Sequence, residues 1–239
     1  MVNPSRDQSR VRLEERDIEI LEHVFRYRMT VIEALENLGF FADDTPHAAK
    51  NVLRRLKSGG FLISAPLYGN RRYYYLTPAA AHAIGYSEAV ARPLPEQTKT
   101  DAFGMLAFCC LRDTHQEKLT LEEFRSSFPK LFRNGERPNY YLDTEGETKR
   151  LGFVRVDRGG MGRWDRLIAR CRDDVAKRCD LPDFRRLIDG GAFVFTLLTA
   201  LPQKAERLAD AFSEDGFPCE IQVFSLPELL ELVAPVPIR

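Results

Sequence analysis

The sequence predicts an α+β chain of two domains, a helical domain with a hairpin followed by a larger mixed-sheet α/β domain. Three observations support this prediction. Apolar residues recur at helical spacing through much of the first part of the chain. Residues 90–100 contain two prolines and no apolar periodicity, which is typical of a linker. Residues 192–200 form a continuous apolar run, as in a strand buried on both faces of a sheet.

The first helix is predicted at residues 13–28, where apolar side chains recur at helical spacing and acidic residues occupy the first turns. A short second helix is expected to follow, with Thr30 as its N-cap and Glu33 completing a capping box. Gly39 is expected to end that helix. Residues 1–12 are polar, and we expect them to form a flexible arm.

A third helix is predicted to start at Thr45 and Pro46, because threonine is a good N-cap and proline suits the first turn. It is expected to run to about Ser58 and to stop at Gly59-Gly60. This helix lies in the most basic part of the chain. Residues 46–75 contain six Lys or Arg and no acid, although the whole chain has 35 basic and 35 acidic residues. Clustered cations of this kind neutralise the phosphates of duplex DNA.

Two strands are predicted next, at residues 61–67 and 72–76, with a turn at Gly69-Asn70 between them. One more helix is expected at residues 79–84. Three helices, a hairpin and a helix in this order predict a winged helix-turn-helix domain over residues 13–89. In that domain the third helix enters the major groove and the hairpin contacts backbone or minor groove. An isolated basic run more often forms a solvated surface, but the order of elements favours DNA binding.

The residue types of the third helix suit direct contacts to bases. Arginine can bond guanine bidentately and asparagine can bond adenine, so the base-edge candidates are His47, Lys50, Asn51 and Arg54. Each of them could equally contact only phosphate or water. The consecutive tyrosines at 73–75 alternate across a strand, so at least one is expected in the core and the others against sugar or phosphate. The predicted DNA-binding set is His47, Lys50, Asn51, Arg54, Arg55, Lys57, Arg71, Arg72 and Tyr73.

No cofactor and no metal site is predicted. The five cysteines are Cys109, Cys110, Cys171, Cys179 and Cys219. They have no CxxC spacing and the histidines are scattered, which argues against zinc, and an odd number suits reduced thiols in a cytosolic protein. No apolar run approaches 18 residues, and the amino-terminal segment lacks the apolar core of a signal peptide. We therefore expect a cytoplasmic protein without a membrane partner.

The second domain, residues 101–239, is predicted to follow the order α-β-β-α-α-β-α-β-α, a mixed sheet with helices against it. Its opening helix, residues 101–116, has an apolar face. That face either pairs with a second copy of the chain or is buried within its own domain.

Several motifs carry a resemblance to a known family. The segments LEERDIEILEHVFRYRMT, NVLRRLKSGGFL and YYYLTPAA resemble the amino-terminal winged helix of the replication-relaxation family, whose members occur on plasmids and other mobile elements. RPNYYLD, GFVRVDRGG and the strand–helix pair at residues 192–212 resemble, in that order, the second domain of the family. The resemblance implies a restriction-endonuclease-like fold for residues 101–239.

The chain departs from the pattern of an active nuclease of that fold, which needs an Asp after its first strand and an acid-x-Lys pair on the next. The acids hold magnesium and the lysine acts on water. Asn139 and Arg155 stand where two of the acids belong, and no lysine follows Asp157 at the required spacing. Asp143 and Asp157 are the acids from which a metal site would have to be rebuilt. We expect instead a domain for self-association or partner binding, with Asp157 and Arg158 in an internal salt bridge.

Taken with the resemblance, the sequence predicts a sequence-specific double-stranded DNA-binding protein that is not an enzyme. The favoured hypothesis is a homodimeric transcriptional regulator of a mobile genetic element. The alternative is an accessory protein that binds an origin and recruits a replication or mobilisation protein. A metal-dependent nuclease is the third hypothesis. The first two both need only duplex binding, so the sequence does not separate them.

Overall fold

The chain divides into two compact units, which we call the first unit, Met1–Pro93, and the second unit, Leu94–Arg239. The computed structural model describes residues 12–42, 44–45, 47–112, 116–133, 139–144, 149–159, 164–214 and 216–233. All but the last residue of the predicted arm therefore lies outside the described residues. The division falls inside the linker predicted at residues 90–100, but that prediction was too long, because a helix already begins at Glu96.

The first unit contains three helices, a hairpin and a fourth helix. They are α1 Glu15–Tyr27, α2 Ile32–Asn37, α3 Ala48–Ser58, β1 Leu62–Tyr68, β2 Arg71–Leu76 and α4 Pro78–Ala83. The predicted order of these elements is confirmed. Gly69 has a φ of +49°, as a tight hairpin turn between β1 and β2 requires. Thr77 caps α4 as predicted, because its Oγ1 accepts the backbone N–H of Ala80 at 3.1 Å.

The core of the first unit lies between α1, α3 and the hairpin. Leu21 and Val24 of α1 and Leu53 and Leu56 of α3 are all fully buried in one apolar cluster. Because helical residues three and four apart share a face, burying this stripe leaves the opposite face of α3 in solvent. The packing thus determines which side chains of α3 are exposed.

Two predicted helix starts were wrong. The N-cap of α2 is Val31 rather than Thr30. Thr30 instead pairs with Tyr74 of β2 through two backbone hydrogen bonds of 2.8 and 2.9 Å, and its hydroxyl bonds the ring of buried His23 at 3.0 Å. His23 thus takes the hydroxyl, and Tyr74 the backbone N–H, that the capping box would have used. The third helix starts at Ala48 after His47, later than the predicted Thr45, and Pro46 lies outside the described residues.

The second unit has a five-stranded mixed sheet with helices against it. Its elements are α5 Glu96–Cys110, β3 Gln116–Lys118, α6 Leu121–Ser127, β4 Tyr140–Asp143, β5 Arg150–Val156, α7 Trp164–Cys179, α8 Pro182–Asp189, β6 Phe193–Thr199, α9 Pro202–Glu214, β7 Glu220–Ser225 and α10 Leu230–Val233. The strand order follows the chain from β3 to β7. The first three strands are antiparallel, and β5, β6 and β7 are parallel. An α+β chain with a mixed sheet is therefore confirmed, and β6 is buried along its whole length as predicted.

Helix α5 differs from the prediction in both its bounds and its surroundings. It begins at Glu96 and ends at Cys110, and Gln116, which we had placed at the end of this helix, begins β3. Phe103, Leu106 and Cys110 are buried within the second unit, so the apolar face is used there and is not an exposed pairing surface. Gly104 allows α5 to lie against β5, since a Cβ at this position would fall 2.8 Å from the side chain of Val156.

Candidate nucleic-acid interface

The exposed side of α3 carries most of the predicted DNA-binding residues. His47 at its N-cap and the side chains of Lys50, Asn51, Arg54 and Lys57 are exposed, and their spacing of three and four residues places them on one face. We call these five residues the basic face. The helix itself contains no acid, so three full positive charges stand on this face without a carboxylate from α3.

Arg54 and Asn51 contact each other on the basic face. The Arg54 guanidinium donates through Nη2 to the Asn51 amide oxygen at 3.0 Å. This bond uses one of five guanidinium N–H groups and leaves the amide NH₂ of Asn51 as a donor. The pair holds two side chains suited to base edges side by side on an exposed helix.

Arg55 has a different role from its neighbour Arg54. It forms a bidentate ion pair with Asp17 of α1, with distances of 2.6 Å from Nη2 to Oδ1 and 2.9 Å from Nη1 to Oδ2. The Asp17 side chain is fully buried. The same carboxylate accepts the backbone N–H of Glu14 at 3.0 Å and so also caps α1. Because its charge is matched by Asp17, Arg55 joins α3 to α1 rather than extending the basic face.

The two arginines beyond the hairpin turn are held by the protein. Arg71 donates to Glu33 of α2 at 2.8 and 3.2 Å and also contacts the hydroxyl of Tyr68. Burial lowers the pKa of Arg71, but the bonds to Glu33 and Tyr68 outweigh that effect and leave the pKa raised. Arg72 is exposed and reaches across the hairpin to Ser64, with bonds of 2.6 Å to its hydroxyl and 2.9 Å to its carbonyl. Both cations are oriented before any ligand arrives.

Tyr73 is not on this surface. Only 2 % of it is exposed, and its ring lies 5.7 Å from that of Tyr75, which is also buried. The half-buried tyrosine of β2 is Tyr74. The alternation of the strand was foreseen, but the buried face was not, because it depends on which side of β2 packs against the helices of the unit. Tyr73 is thus corrected from a contact residue to a core residue.

Sequence reasoning missed the partners that orient the hairpin arginines. Ser64 lies in β1 two residues before Pro66, which is paired with Arg72, and Tyr68 directly precedes the turn. Counting the strand pairing back from Gly69-Asn70 would have placed Ser64 near Arg72. The sequence analysis also gave no partner to two acids of the first unit. In the structure Glu33 pairs with Arg71 and Asp44 pairs with Arg16.

The second unit places the residues of the expected nuclease positions around a cavity of about 400 Å³ at the end of β5. Asn139, Arg155, Asp157 and Arg158 all line it. Asp143 does not, because it pairs with Arg150 at the opposite end of β5, about 20 Å away along the strand. Asp143 and Asp157 therefore cannot form one metal site. Among the described residues, no three His, Cys, Asp or Glu side chains are grouped to hold a metal ion.

The expected salt bridge between Asp157 and Arg158 is wrong. Asp157 accepts a hydrogen bond of 2.6 Å from Lys204 Nζ, and only 1 % of the Lys204 side chain is exposed. Arg158 pairs instead with Asp101 of α5, at 2.7 Å from Nε to Oδ1, and this bond raises the pKa of Arg158. Adjacent residues of an extended chain point in opposite directions, so each finds its own partner. Lys204 lies 47 residues beyond Asp157, and no local spacing would have revealed it.

The cysteines have packing roles. Cys109 and Cys110 are buried in α5 as predicted, and all five cysteines are free thiols. Burial raises the pKa of both Cys171 and Cys219 to about 12. Thiols of this kind are poor nucleophiles. No helix among the described residues is long and apolar enough to cross a membrane.

Comparison of the chain with protein-family models, with curated proteins and with solved structures gives no match. The resemblance to the replication-relaxation family therefore rests on the sequence motifs alone.

Proposed function

We propose that the chain is a sequence-specific double-stranded DNA-binding protein whose first unit acts as a winged helix-turn-helix. The basic face of α3 carries the proposal, because it is exposed, contains no acid and combines Arg54 and Asn51 on one side. In this proposal α3 enters the major groove, where those two side chain types read guanine and adenine. Arg71 and Arg72 contact the phosphate backbone and add affinity rather than sequence choice.

The second unit is proposed to bind rather than to cut. Its candidate metal position holds Asn139 and Arg155 in place of acids, and the carboxylate of Asp157 is already neutralised by Lys204. A divalent ion at Asp157 would have to displace a buried ammonium group at 2.6 Å. We therefore keep the hypothesis that the protein is not an enzyme.

The proposed protein acts as a homodimer, since one winged helix buries only about 600–1,000 Å² of surface on DNA and two-fold operators match two-fold proteins. The surface that joins the two copies is not the apolar face of α5, which is buried in its own unit. The regulator of a mobile element and the origin-binding accessory protein share this DNA-binding surface. The motifs that resemble the replication-relaxation family favour the second hypothesis, while the generic winged helix and the missing metal-binding acids favour the first. Footprinting on the source replicon separates a promoter from an origin.

The test begins with selection of duplexes from a randomised library by the full-length protein. Fluorescence anisotropy on an enriched duplex then compares wild type with Lys50→Ala, Arg54→Ala and Arg54→Lys. Loss of a base contact is expected to weaken Arg54→Ala binding about 5- to 150-fold, and Lys should not replace Arg, because it cannot bond a base bidentately. Arg186→Ala is the matched control, since Arg186 is an exposed arginine on α8 in the second unit.

Two results would contradict the proposal. A selection without enriched sequences would remove sequence-specific binding altogether. Enriched duplexes that bind Lys50→Ala and Arg54→Ala as tightly as wild type would show that α3 does not enter the groove. If Lys50→Ala weakens all duplexes equally and lowers the salt slope by about one, that residue contacts phosphate.

A further inference from the structure

Among the described residues, four arginines line the cavity at the end of β5, and we call it the arginine cavity. Arg155 and Arg158 come from β5 and the residues after it, and Arg166 and Arg170 come from α7. Its volume of about 400 Å³ lies in the range of small-molecule sites and is large enough for a mononucleotide. Every lining residue that the structure describes belongs to the second unit, so the cavity is distinct from the basic face of α3.

Most charges around the arginine cavity are paired. Arg155 bonds Asp174 at 2.6 Å from Nε, and Arg158 bonds Asp101 at 2.7 Å from Nε. Asp157 is matched by Lys204. These three ion pairs fix the walls of the cavity, and each pair has no net charge. They also orient two guanidinium groups that line it.

Arg166 and Arg170 are the exception. Within the described part of the chain neither has a hydrogen-bond or ion-pair partner, although both line the cavity. They are four residues apart on α7, so they lie on one helix face with Cβ atoms about 6 Å apart. Summed over the described lining residues and their partners, the charge of the cavity is therefore two positive, and both charges lie on these side chains.

Two adjacent guanidinium groups match a phosphate better than a carboxylate. The planar fork of arginine pairs bidentately with phosphate oxygens. A phosphate monoester carries a charge of about −1.5 to −2 at pH 7, close to the two charges left in the cavity, whereas one carboxylate would balance only one of them. Asn139 adds an amide donor on the cavity wall.

We propose that the arginine cavity binds the phosphate monoester group of a nucleotide or of a nucleic-acid end, and that Arg166 and Arg170 hold that group. The site would give the second unit a binding function separate from duplex recognition by the first. A ligand here would lie beside Arg155 of β5 and beside Arg158, which is bonded to Asp101 of α5. The site would thus be connected to both the sheet and α5.

Isothermal titration of the full-length protein tests this site. The probes are adenosine and guanosine 5′-monophosphate, adenosine without phosphate, and a single-stranded octanucleotide with and without a 5′-phosphate. Binding is expected for the phosphorylated probes only. Tight binding of the nucleotides identifies a free nucleotide as the source, and binding of the phosphorylated octanucleotide alone identifies a nucleic-acid end.

The variants locate the site. Arg166→Ala and Arg170→Ala are each expected to weaken phosphate binding about tenfold or more, and the double variant should abolish it. Lys177→Ala is the matched control, because Lys177 is exposed on the same helix but does not line the cavity. Duplex affinity should stay unchanged in all of them, which separates this proposal from the function of the first unit.

Absence of binding to every phosphorylated probe would overturn the proposal, and so would binding that the double variant leaves intact. Because both arginines are exposed on α7, their replacement should leave thermal unfolding unchanged. A loss of binding with an unchanged unfolding curve is therefore a loss of the site and not of the fold.

Discussion

The two units of this protein use their cations in opposite ways. The first unit keeps Lys50, Arg54 and Lys57 on an open helix, where no carboxylate of the described residues pairs with them. The second unit surrounds a cavity with arginines, two of which are paired with aspartates. An open face suits an extended polyanion such as duplex DNA, and a cavity suits a single compact anion. The difference teaches that the partners of a cation, rather than its presence in the sequence, indicate its role.

Arg54 and Arg55 make the same point within one helix. They are neighbours in sequence, yet Arg54 lies on the basic face and Arg55 is bound to the buried carboxylate of Asp17. A basic run in a sequence therefore mixes residues that serve binding with residues that serve the fold. Three mutational experiments, at Lys204, at Arg55 and Arg54, and at His23, test this comparison between the units.

The largest effect is expected at the buried pair of the second unit. Lys204→Met leaves Asp157 buried without a counter-charge, and we expect the free energy of unfolding to fall by about 3–5 kcal/mol. Urea unfolding followed by the fluorescence of Trp164, the single tryptophan of the chain, reports on this unit. The Lys204 ammonium lies 5.7 Å from the Trp164 ring, so each variant needs its own folded baseline.

Two further variants serve as controls for Lys204→Met. Asp157→Asn combined with Lys204→Met removes both charges and should recover more than half of the lost stability. Lys177→Ala removes an exposed cation and should change stability by no more than about 0.5 kcal/mol. A loss below about 1 kcal/mol in Lys204→Met would mean that water or another group satisfies Asp157.

The next effect separates Arg55 from Arg54. Arg55→Ala leaves the buried Asp17 carboxylate with only a backbone donor, and we expect the first unit to lose about 2–3 kcal/mol. Arg54→Ala should change stability by less than about 0.5 kcal/mol while weakening binding to the selected duplex. Amide hydrogen exchange of α1 and α3 in the full-length chain measures the first unit by itself. Equal effects of the two variants on stability would remove the distinction between them.

Elements that depend on local signals were predictable from the sequence. The hairpin followed from Gly69-Asn70, and the end of α3 followed from Gly59-Gly60, where Gly60 has a φ of +78°. The exposed residues of α3 also followed, because the stripe of apolar residues leaves only one other face. These features depend on residues within a few positions of each other.

Features that depend on distant partners were not predictable. The capping box at Thr30 has the right residues, but His23 and Tyr74 take the groups that would form it. Lys204 reaches Asp157 from a helix 47 residues further along the chain. The inward face of β2 was likewise set by packing against helices outside the hairpin, which buries Tyr73. In each case a tertiary contact overrides a local preference.

The smallest stability effect concerns pH and distinguishes how the units bury polar groups. The second unit buries both partners of the Asp157–Lys204 ion pair, whereas the first buries the His23 ring against Thr30 in addition to the carboxylate of Asp17. Burial, aided by the nearby charge of Arg26, lowers the pKa of His23 from 6.5 to about 3. The ring therefore stays neutral in the folded protein at pH values where it is protonated in the unfolded chain.

The sign of the resulting pH dependence follows from proton binding. Between pH 6.5 and 3 the unfolded chain binds a proton at this ring that the folded chain does not, so stability falls as pH falls. The slope approaches about 1.4 kcal/mol per pH unit, which gives about 2 kcal/mol between pH 6.5 and 5. His23→Gln keeps a polar side chain near Thr30 but does not titrate in this range. Hydrogen exchange of α1, corrected for the pH dependence of the intrinsic rate, should therefore show a flatter pH profile in that variant than in wild type. An imidazole ¹⁵N resonance of His23 that shifts between pH 7 and 5 would show instead that the ring is protonated in the folded protein and that its burial does not keep it neutral.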